Sequence, residues 1–186
     1  MPNIIELETE RLILRQWKNS DYQIFAEMSS DPDVMRYYPS LMSRPESNEM
    51  ADKIRSLISD RGWGFWAIEE KDNKKFIGFV GLHEPAPELP FSPCVEIGWR
   101  IKKERWGKGF ATEAAKEVLK FTFDLLKLDK IYSFSTVKNQ KSRAVMERLG
   151  MVNTHKNFEH PDIPPGSPLR EHVLYEMRRE QWYKTV

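Results

Sequence analysis

The segment WGKGFATEAAKEVLKF, residues 106–121, constrains the fold of this 186-residue chain more than any other. It follows CVEIGWRI (94–101), in which apolar and polar residues alternate as in a half-buried strand. After Gly107 and Gly109, apolar residues recur at helical spacing. A strand, a glycine turn and an amphipathic helix in this order favour a layered α/β fold. They also offer backbone N–H groups at the start of the helix, which is a typical anion site.

Further strands and helices are predicted on both sides of this unit. Strands are predicted at 11–17, 63–71, 75–84, 130–137 and 172–182, and helices after Ser20, at 45–60 and at 141–150. The resulting order, β-α-α-β-β-β-α-β-α-β-β, predicts an α/β (α+β) domain with a mixed sheet. The length fits a single domain that spans 1–186.

Composition and charge argue against several classes of function. The net charge of +1 disfavours a nucleic-acid or membrane-surface partner, because such partners select a basic excess. Cys94 is the sole cysteine, so no internal disulfide can form, which fits a cytoplasmic protein. We interpret this thiol as buried and inert rather than catalytic. The four histidines lack the spacing of a metal site, so no metal is expected.

Three anionic ligands compete for a site at Gly107 and Gly109. A P-loop needs the pattern GxxxxGK[S/T], which the chain does not have here. A dinucleotide site needs an acid after the next strand, where this chain reads TVKN (136–139). The pyrophosphate of coenzyme A is the third ligand. The alternative to all three is a glycine turn that only begins a core helix.

Several motifs, in order, resemble the GNAT superfamily of acetyl-CoA-dependent N-acetyltransferases. Residues 105–115, RWGKGFATEAA, resemble its glycine motif, with Trp106 where Gln or Arg is usual, as in the branch of ribosomal-protein N-terminal acetyltransferases. ETERLILR, DPDVMRYY, EIGWRI and Asn139-x-x-Ser142 also match. The resemblance spans about residues 8–182. It implies a mixed, mostly antiparallel central sheet flanked by helices on both faces, with acetyl-CoA as co-substrate.

The resemblance also implies which residues hold coenzyme A. Main-chain groups of Trp99 and Ile101 would pair with the pantetheine arm. Asn139 would hydrogen-bond the same arm, or would instead cap the helix that follows it. The segment implied to hold the pyrophosphate comprises Trp106, Gly107, Lys108, Gly109, Phe110, Ala111 and Thr112.

Glu96 and Ser142 are the candidate catalytic residues. Family members often carry a glutamate at the Glu96 position that deprotonates the amine; the alternative is a strand glutamate paired with Arg100. Many members carry a tyrosine acid four residues after Ser142, where this chain has Met146. The resemblance instead implies that Ser142 contacts the thiol side of the reaction. Its alternative role is to satisfy a backbone N–H at a helix start.

Together these motifs predict acetyl transfer from acetyl-CoA to a primary amine by direct attack in a ternary complex. The acceptor is a protein N-terminal α-amine or a small-molecule amine. Family members build the acceptor site from segments that correspond here to about 28–45, 84–93 and 158–170. Acids in or near these segments that are candidates for attracting a cationic amine are Asp31, Asp33, Glu84 and Glu88.

Two other functions stay open on the sequence alone. A catalytically silent acetyl-CoA sensor would keep the binding loop and lose turnover, and the absence of a phenol at Met146 favours it mildly. A nicotinamide enzyme would bind a dinucleotide instead. The predicted assembly state is a monomer or a homodimer.

Overall fold

The computed structural model describes residues 3–85 and 87–185. Within these ranges nine strands form one sheet, and five helices pack around it. The strands are β1 (Leu7–Glu8), β2 (Leu12–Arg15), β3 (Phe65–Glu70), β4 (Phe76–His83), β5 (Glu96–Ile101), β6 (Lys130–Thr136), β7 (Val152–Asn153), β8 (Phe158–Glu159) and β9 (Glu171–Arg178). The helices are α1 (Asp21–Ser30), α2 (Arg44–Arg61), α3 (Phe110–Asp124), α4 (Gln140–Arg148) and α5 (Arg179–Thr185).

The sheet is mixed and mostly antiparallel, as predicted. Its strands run in the order β1-β2-β3-β4-β5-β6-β9-β7, and β8 also pairs with β9. Every described pair is antiparallel except β5 with β6. The parallel pair is possible because α3 crosses over from the end of β5 to the start of β6.

Helices cover both faces of the sheet, which also confirms the prediction. Trp66 of β3 meets Phe121 of α3 with ring centroids 5.4 Å apart. The preceding residue, Phe65, contacts Phe79 of β4, which in turn contacts Phe25 of α1. Because successive side chains of a strand point to opposite faces, α3 and α1 lie on opposite sides of the sheet.

A buried ion cluster fixes α1 against the sheet. Arg15 of β2 donates two hydrogen bonds to Asp21 at the start of α1, at 2.7 and 3.0 Å. It donates a third to Glu69 of β3 at 2.6 Å, and Lys18 also reaches Glu69 at 3.0 Å. Arg15 and Asp21 are almost fully buried. The cluster therefore joins two strands and one helix through charges that water does not screen.

The last predicted strand is too long at its C-terminal end. Strand β9 ends at Arg178, and the residues predicted to extend it to Trp182 form α5 instead. Trp182 packs on Phe123 of α3, with centroids 6.0 Å apart. The alternation of apolar and polar residues stops at Arg178 and Arg179, where the helix begins, but the seven residues of α5 are too few to show a clear helical period. The two-residue strand β1 was not predicted, because two residues show no periodicity.

Strands β5 and β6 meet over a short stretch and then separate. The Tyr132 N–H donates to the Val95 carbonyl at 3.1 Å, and Ser133 Oγ donates to the Ile97 carbonyl at 3.0 Å. Glu96 and Tyr132 are the one residue pair in register between these strands. Beyond this point β6 stays paired with β9 over seven residues, while β5 stays paired with β4. The sheet therefore opens between the two strands.

Candidate active site

A cleft of about 1370 Å³ lies where the sheet opens. Its walls are the end of β5, the glycine loop with the first turn of α3, the start of α4, and the segment between α1 and α2. The volume exceeds that of a site for one drug-sized ligand, so two substrates can fit side by side. Predicted site residues that line it are Trp99, Ile101, Trp106, Gly107, Gly109, Phe110, Ala111, Thr112, Asn139 and Ser142. Glu96 and Lys108 are predicted site residues outside this lining.

The glycine loop presents the free N–H groups of a helix start to the cleft. Gly107 and Gly109 have φ angles of +73° and +79°, a left-handed conformation that residues with a Cβ rarely adopt. Gly109 is the N-cap of α3 and has no side chain to occupy the first-turn amides. The N–H groups of Phe110, Ala111 and Thr112 are therefore available to a phosphate, and the helix dipole adds to their attraction.

Arg11 holds this loop in place from the other end of the chain. Its guanidinium donates to the Lys108 carbonyl at 3.1 Å and to the Glu113 carboxylate at 2.6 Å. Thr9 Oγ1 also donates to Glu113 at 2.6 Å. The Arg11 guanidinium lies 4.4 Å from the centroid of the Phe110 ring. The ETER segment of the sequence therefore serves as a clamp on the glycine loop, a role that sequence reasoning did not assign.

Trp106 has a structural reason to replace the usual Gln or Arg. Its indole Nε1–H donates to the carbonyl of Ile101 at 2.8 Å and so closes the end of β5. Lys141 of α4 lies over the same ring, 4.0 Å from its centroid. Trp106 thus joins the strand, the loop and α4 around the mouth of the cleft.

The free edge of β5 matches the expected pantetheine partners with one change. Lys102 N–H donates to the Ile77 carbonyl at 2.8 Å, which directs the amide groups of Lys102 and Arg100 toward β4. Because this direction alternates along an antiparallel pair, the amide groups of Trp99 and Ile101 face the opening. The Ile101 carbonyl is already taken by Trp106, so Ile101 has only its N–H left to offer a ligand.

A substitution at Gly107 would test whether coenzyme A approaches this loop closely. A Cβ at Gly107 meets no protein atom within 4 Å, so a side chain there intrudes only on the cleft. We expect Gly107→Val to weaken acetyl-CoA binding about tenfold or more, measured by calorimetry. Gly166 is the matched control, since it has a φ of +80° and equally open surroundings but does not line the cleft. Equal acetyl-CoA affinity in Gly107→Val and Gly166→Val would remove Gly107 from the site.

Asn139 and Ser142 form one hydrogen-bonded unit at the start of α4. The Asn139 side chain caps the helix by accepting from the Ser142 N–H at 3.2 Å, as the alternative in the sequence suggested. Its amide group donates to Ser135 Oγ at 3.0 Å and to Ser142 Oγ at 3.1 Å. Since the Ser142 oxygen accepts from Asn139, its hydroxyl hydrogen remains a donor that can point into the cleft.

Glu96 stands at the first residue of β5, beside the point where the sheet opens. No cation or hydrogen-bond donor in the described residues pairs with its carboxylate, so the suggested pair with Arg100 does not form. Burial raises its pKa to about 8, although the side chain keeps a partial opening to solvent. Its cross-strand neighbours are His83 on β4 and Tyr132 on β6. A carboxylate of this kind accepts a proton readily near neutral pH.

Two of the four acidic residues expected to attract an amine, Asp33 and Glu84, are in ion pairs. Asp33 lines the cleft but pairs with Arg36 at 2.7 Å and also with Lys103. Glu84 pairs with Arg61 at 2.8 Å and lies outside the cleft. The uncharged residues of the segment between α1 and α2 that line the cleft are Val34, Tyr37 and Tyr38.

No cluster of three His, Cys, Asp or Glu side chains in ranges 3–85 and 87–185 is placed to hold a metal ion. None of the helices in the same ranges combines the length and the apolar character needed to cross a bilayer.

Known proteins of similar sequence and structure are acetyltransferases. The sequence model of the acetyltransferase (GNAT) domain matches residues 11–152. The uncharacterized N-acetyltransferase YoaA of Bacillus subtilis is 34% identical over 147 residues, which cover 77% of this chain and 81% of YoaA. The FsC-acetyl coenzyme A-N(2)-transacetylase of Aspergillus fumigatus is 28% identical over 96% of this chain and 78% of its own. A GNAT-family acetyltransferase structure from Bacillus anthracis superposes with a TM-score of 0.79, at 26% identity, over 95% of this chain and 99% of that one. The chain therefore belongs to the GNAT family and is an acetyl-CoA-dependent N-acetyltransferase.

Proposed function

We propose that this protein acetylates a primary amine, either a peptide N-terminal α-amine or a small-molecule amine, by direct attack in a ternary complex. The observation that carries the proposal is the large cleft, which joins the glycine loop to the segment between α1 and α2. Both substrates therefore have room at once. Cys94 offers no covalent route, because burial and the nearby Glu96 raise the pKa of its thiol and it does not line the cleft.

In this reaction Glu96 would take the proton from the attacking amine, directly or through water. The amine nitrogen forms a bond to the thioester carbon, the C–S bond breaks, and the sulfur leaves with its electron pair. An α-amine has a pKa near 8, so a base whose own pKa is about 8 is well matched to it. A lysine-like amine, with a pKa near 10.4, needs more help from its surroundings.

Ser142 would donate a hydrogen bond to the departing sulfur, directly or through water, and keep its own proton. The thiolate then takes a proton from solvent, to which Glu96 returns the proton of the amine. Met146, at the position where many relatives carry a phenol, is 1% exposed and belongs to the core. The Met146 side chain therefore contributes to packing. The hydroxyl group of α4 that faces the cleft is that of Ser142.

The Ser142→Ala variant would test this donor. We expect kcat to fall on the order of 10²-fold with little change in acetyl-CoA affinity, because the donor acts as charge develops on sulfur. Ser135→Ala is the matched control, since Ser135 also accepts from Asn139 but lies outside the cleft. Equal rates in the two variants would show that Ser142 only caps α4.

Release of CoA thiol with a broad panel of amines tests the function itself. We expect acetyl-CoA to raise the melting temperature and at least one amine to release thiol at a rate set by both substrates. Stabilisation without release from any amine would favour the silent sensor. Stabilisation by a dinucleotide, with none by acetyl-CoA, would overturn the proposal altogether.

A further inference from the structure

Arg100 is a buried cation without an anion. The residue is 6% exposed and is the last but one of β5, on the face of the sheet that carries α1. No carboxylate among the described residues lies within ion-pair distance of it. Its Nε has no hydrogen-bond partner, and Nη1 reaches Ser29 Oγ only at 3.5 Å, the outer limit of a hydrogen bond.

Aromatic rings surround this guanidinium but do not neutralise it. The Arg100 Cζ lies 4.3 Å from the centroid of Tyr38, 5.4 Å from Phe79 and 5.7 Å from Phe25. Such contacts stabilise a cation, but an aromatic ring carries no net charge that could neutralise it. A guanidinium stays charged at all ordinary pH values, so burying it without an anion is costly. Arg15, the other deeply buried arginine in this half of the molecule, has two carboxylates.

Arg100 lies in the acceptor half of the cleft, by which we mean the part lined by the segment between α1 and α2 rather than by the glycine loop. Arg100 lines the cleft together with Tyr38, from the segment between α1 and α2. Arg100 lies four positions after Glu96 along β5, so both side chains leave the same face of the strand, roughly 13 Å apart at their Cα atoms. The glycine loop instead begins α3, which covers the opposite face. The phosphates of coenzyme A and the Arg100 guanidinium are thus on different sides of the sheet.

The charges around the cleft point the same way. Seven basic and three acidic residues line it. Two of the acids are already paired, Asp33 with Arg36 and Lys103, and Glu113 with Arg11. On the side of the cleft formed by the segment between α1 and α2, the lining charges are Arg36, Lys103 and Arg100 against Asp33 alone, so this acceptor half attracts an anion rather than a second cation.

We propose that Arg100 binds an oxyanion of the acceptor, so that the substrate is an amine that also carries a carboxylate or a phosphate group. The inference rests on the proposed N-acetyltransferase function and narrows its acceptor class. The planar fork of the guanidinium matches a carboxylate in two parallel hydrogen bonds, which makes an amino acid, or a peptide with an anionic group, the foremost candidate. A diamine lacks the anion and leaves Arg100 uncompensated.

Matched acceptors with and without the anion would test this inference. The pairs are glycine, 4-aminobutanoate and 6-aminohexanoate with their carboxamides, and a tripeptide with a free or amidated C-terminus. Phosphoethanolamine separates phosphate from carboxylate recognition. We expect at least one acid to exceed its carboxamide in kcat/KM by about 30-fold or more, the lower range for a buried charge pair. If phosphoethanolamine exceeds every carboxylate, the anion is a phosphate.

The Arg100→Met variant removes the charge and keeps most of the volume. We expect the acid-to-carboxamide ratio to fall close to 1, and comparing ratios between variants cancels the different basicities of the amines. Arg178→Met is the control, because Arg178 pairs with Glu176 and lies outside the cleft, and its ratio should stay that of the parent. Melting temperature is the second readout. An arginine that only supports the fold would destabilise the protein when replaced, whereas removing an uncompensated charge should leave the melting temperature equal or higher.

Three results would overturn the inference. The first is an unchanged acid-to-carboxamide ratio in Arg100→Met with turnover intact. The second is a raised KM for acetyl-CoA alone, which would place the guanidinium on the coenzyme. The third result concerns the case in which no amine is acetylated and the proposed function itself fails. The Nε–H NMR signal of Arg100, assigned by its absence from Arg100→Met, should then still shift when sodium butanoate is added to the parent protein. A signal that does not move shows that no carboxylate binds there.

Discussion

The Glu96→Gln variant is expected to lose roughly 10²- to 10⁴-fold in kcat/KM near pH 8, the usual contribution of a general base. Glutamine keeps the shape of the side chain and cannot accept the proton of the attacking amine. Initial rates of thiol release, measured at a saturating acetyl-CoA concentration over a range of amine concentrations, give kcat/KM for the amine. Glu176→Gln serves as the control, since Glu176 is a partly exposed strand glutamate paired with Arg178 at 3.1 Å.

The pH profile separates the base from the substrate amine. The pKa of Glu96 is about 8, so the carboxylate form that accepts a proton becomes the major form only above that pH. The parent rate should therefore rise about tenfold between pH 7 and pH 9 with any acceptor, in addition to the rise from deprotonation of the amine itself. In Glu96→Gln only the amine-dependent rise should remain, and it should move with the pKa of the amine chosen. A limb near pH 8 that persists in the variant would assign the base to another group.

Stability gives an independent check that the variant is folded. Because the pKa of Glu96 is higher in the folded chain than the usual 4.5, the parent loses stability as pH rises from about 4.5 to about 8. Glutamine carries no such penalty. The melting temperature of Glu96→Gln should equal that of the parent near pH 4 and be at least as high at pH 9. A lower value at pH 9 would mean that the carboxylate has a stabilising partner.

The Arg15→Met variant is expected to destabilise the fold by about 3–5 kcal/mol, because it leaves Asp21 and Glu69 as buried carboxylates with less compensation. For a chain of this length, that corresponds to a fall of roughly 6–20 °C in melting temperature. Scanning calorimetry or thermal circular dichroism would measure it. Arg178→Met is the matched control, since its pair with Glu176 is exposed and should contribute less than about 1 kcal/mol.

Acid should narrow the gap between Arg15→Met and the parent protein. Desolvation acts to raise the pKa of Glu69, but hydrogen bonds from Arg15 and Lys18 outweigh it, and the pKa lies below its usual value. The stability from this carboxylate is therefore present above about pH 4.5 and lost as pH falls through the lower folded value. In Arg15→Met, protonation instead relieves the buried carboxylates. A gap that stays constant between pH 7 and pH 4 would contradict the assigned role of the cluster.

The elements around the glycine loop could be predicted because their signals are local. The alternation in 94–101, the glycines at 107 and 109 and the helical spacing after them each depend on neighbours within a few residues, and β5 and α3 lie where they indicate. The last strand was predicted too long because a short helix that packs by one tryptophan leaves a weak periodic signal. The ion pairs of the acceptor segments could not be predicted, because they join residues distant in the chain: Lys103 lies 70 positions from Asp33.

Local sequence was thus sufficient for the strand–glycine–helix unit, its left-handed glycines and the family to which the chain belongs, since backbone conformation and periodicity are properties of neighbouring residues. The charge states that govern the chemistry needed the tertiary structure. The pKa of Glu96 depends on how far packing removes water from one carboxylate, and the clamp of Arg11 on Glu113 joins residues 102 positions apart. Arg15 and Arg100 differ in what the folded chain places around them. Two carboxylates lie beside the Arg15 guanidinium, whereas three aromatic rings surround that of Arg100. Electrostatic free energy follows distances and desolvation in space, and these are set only when the chain folds.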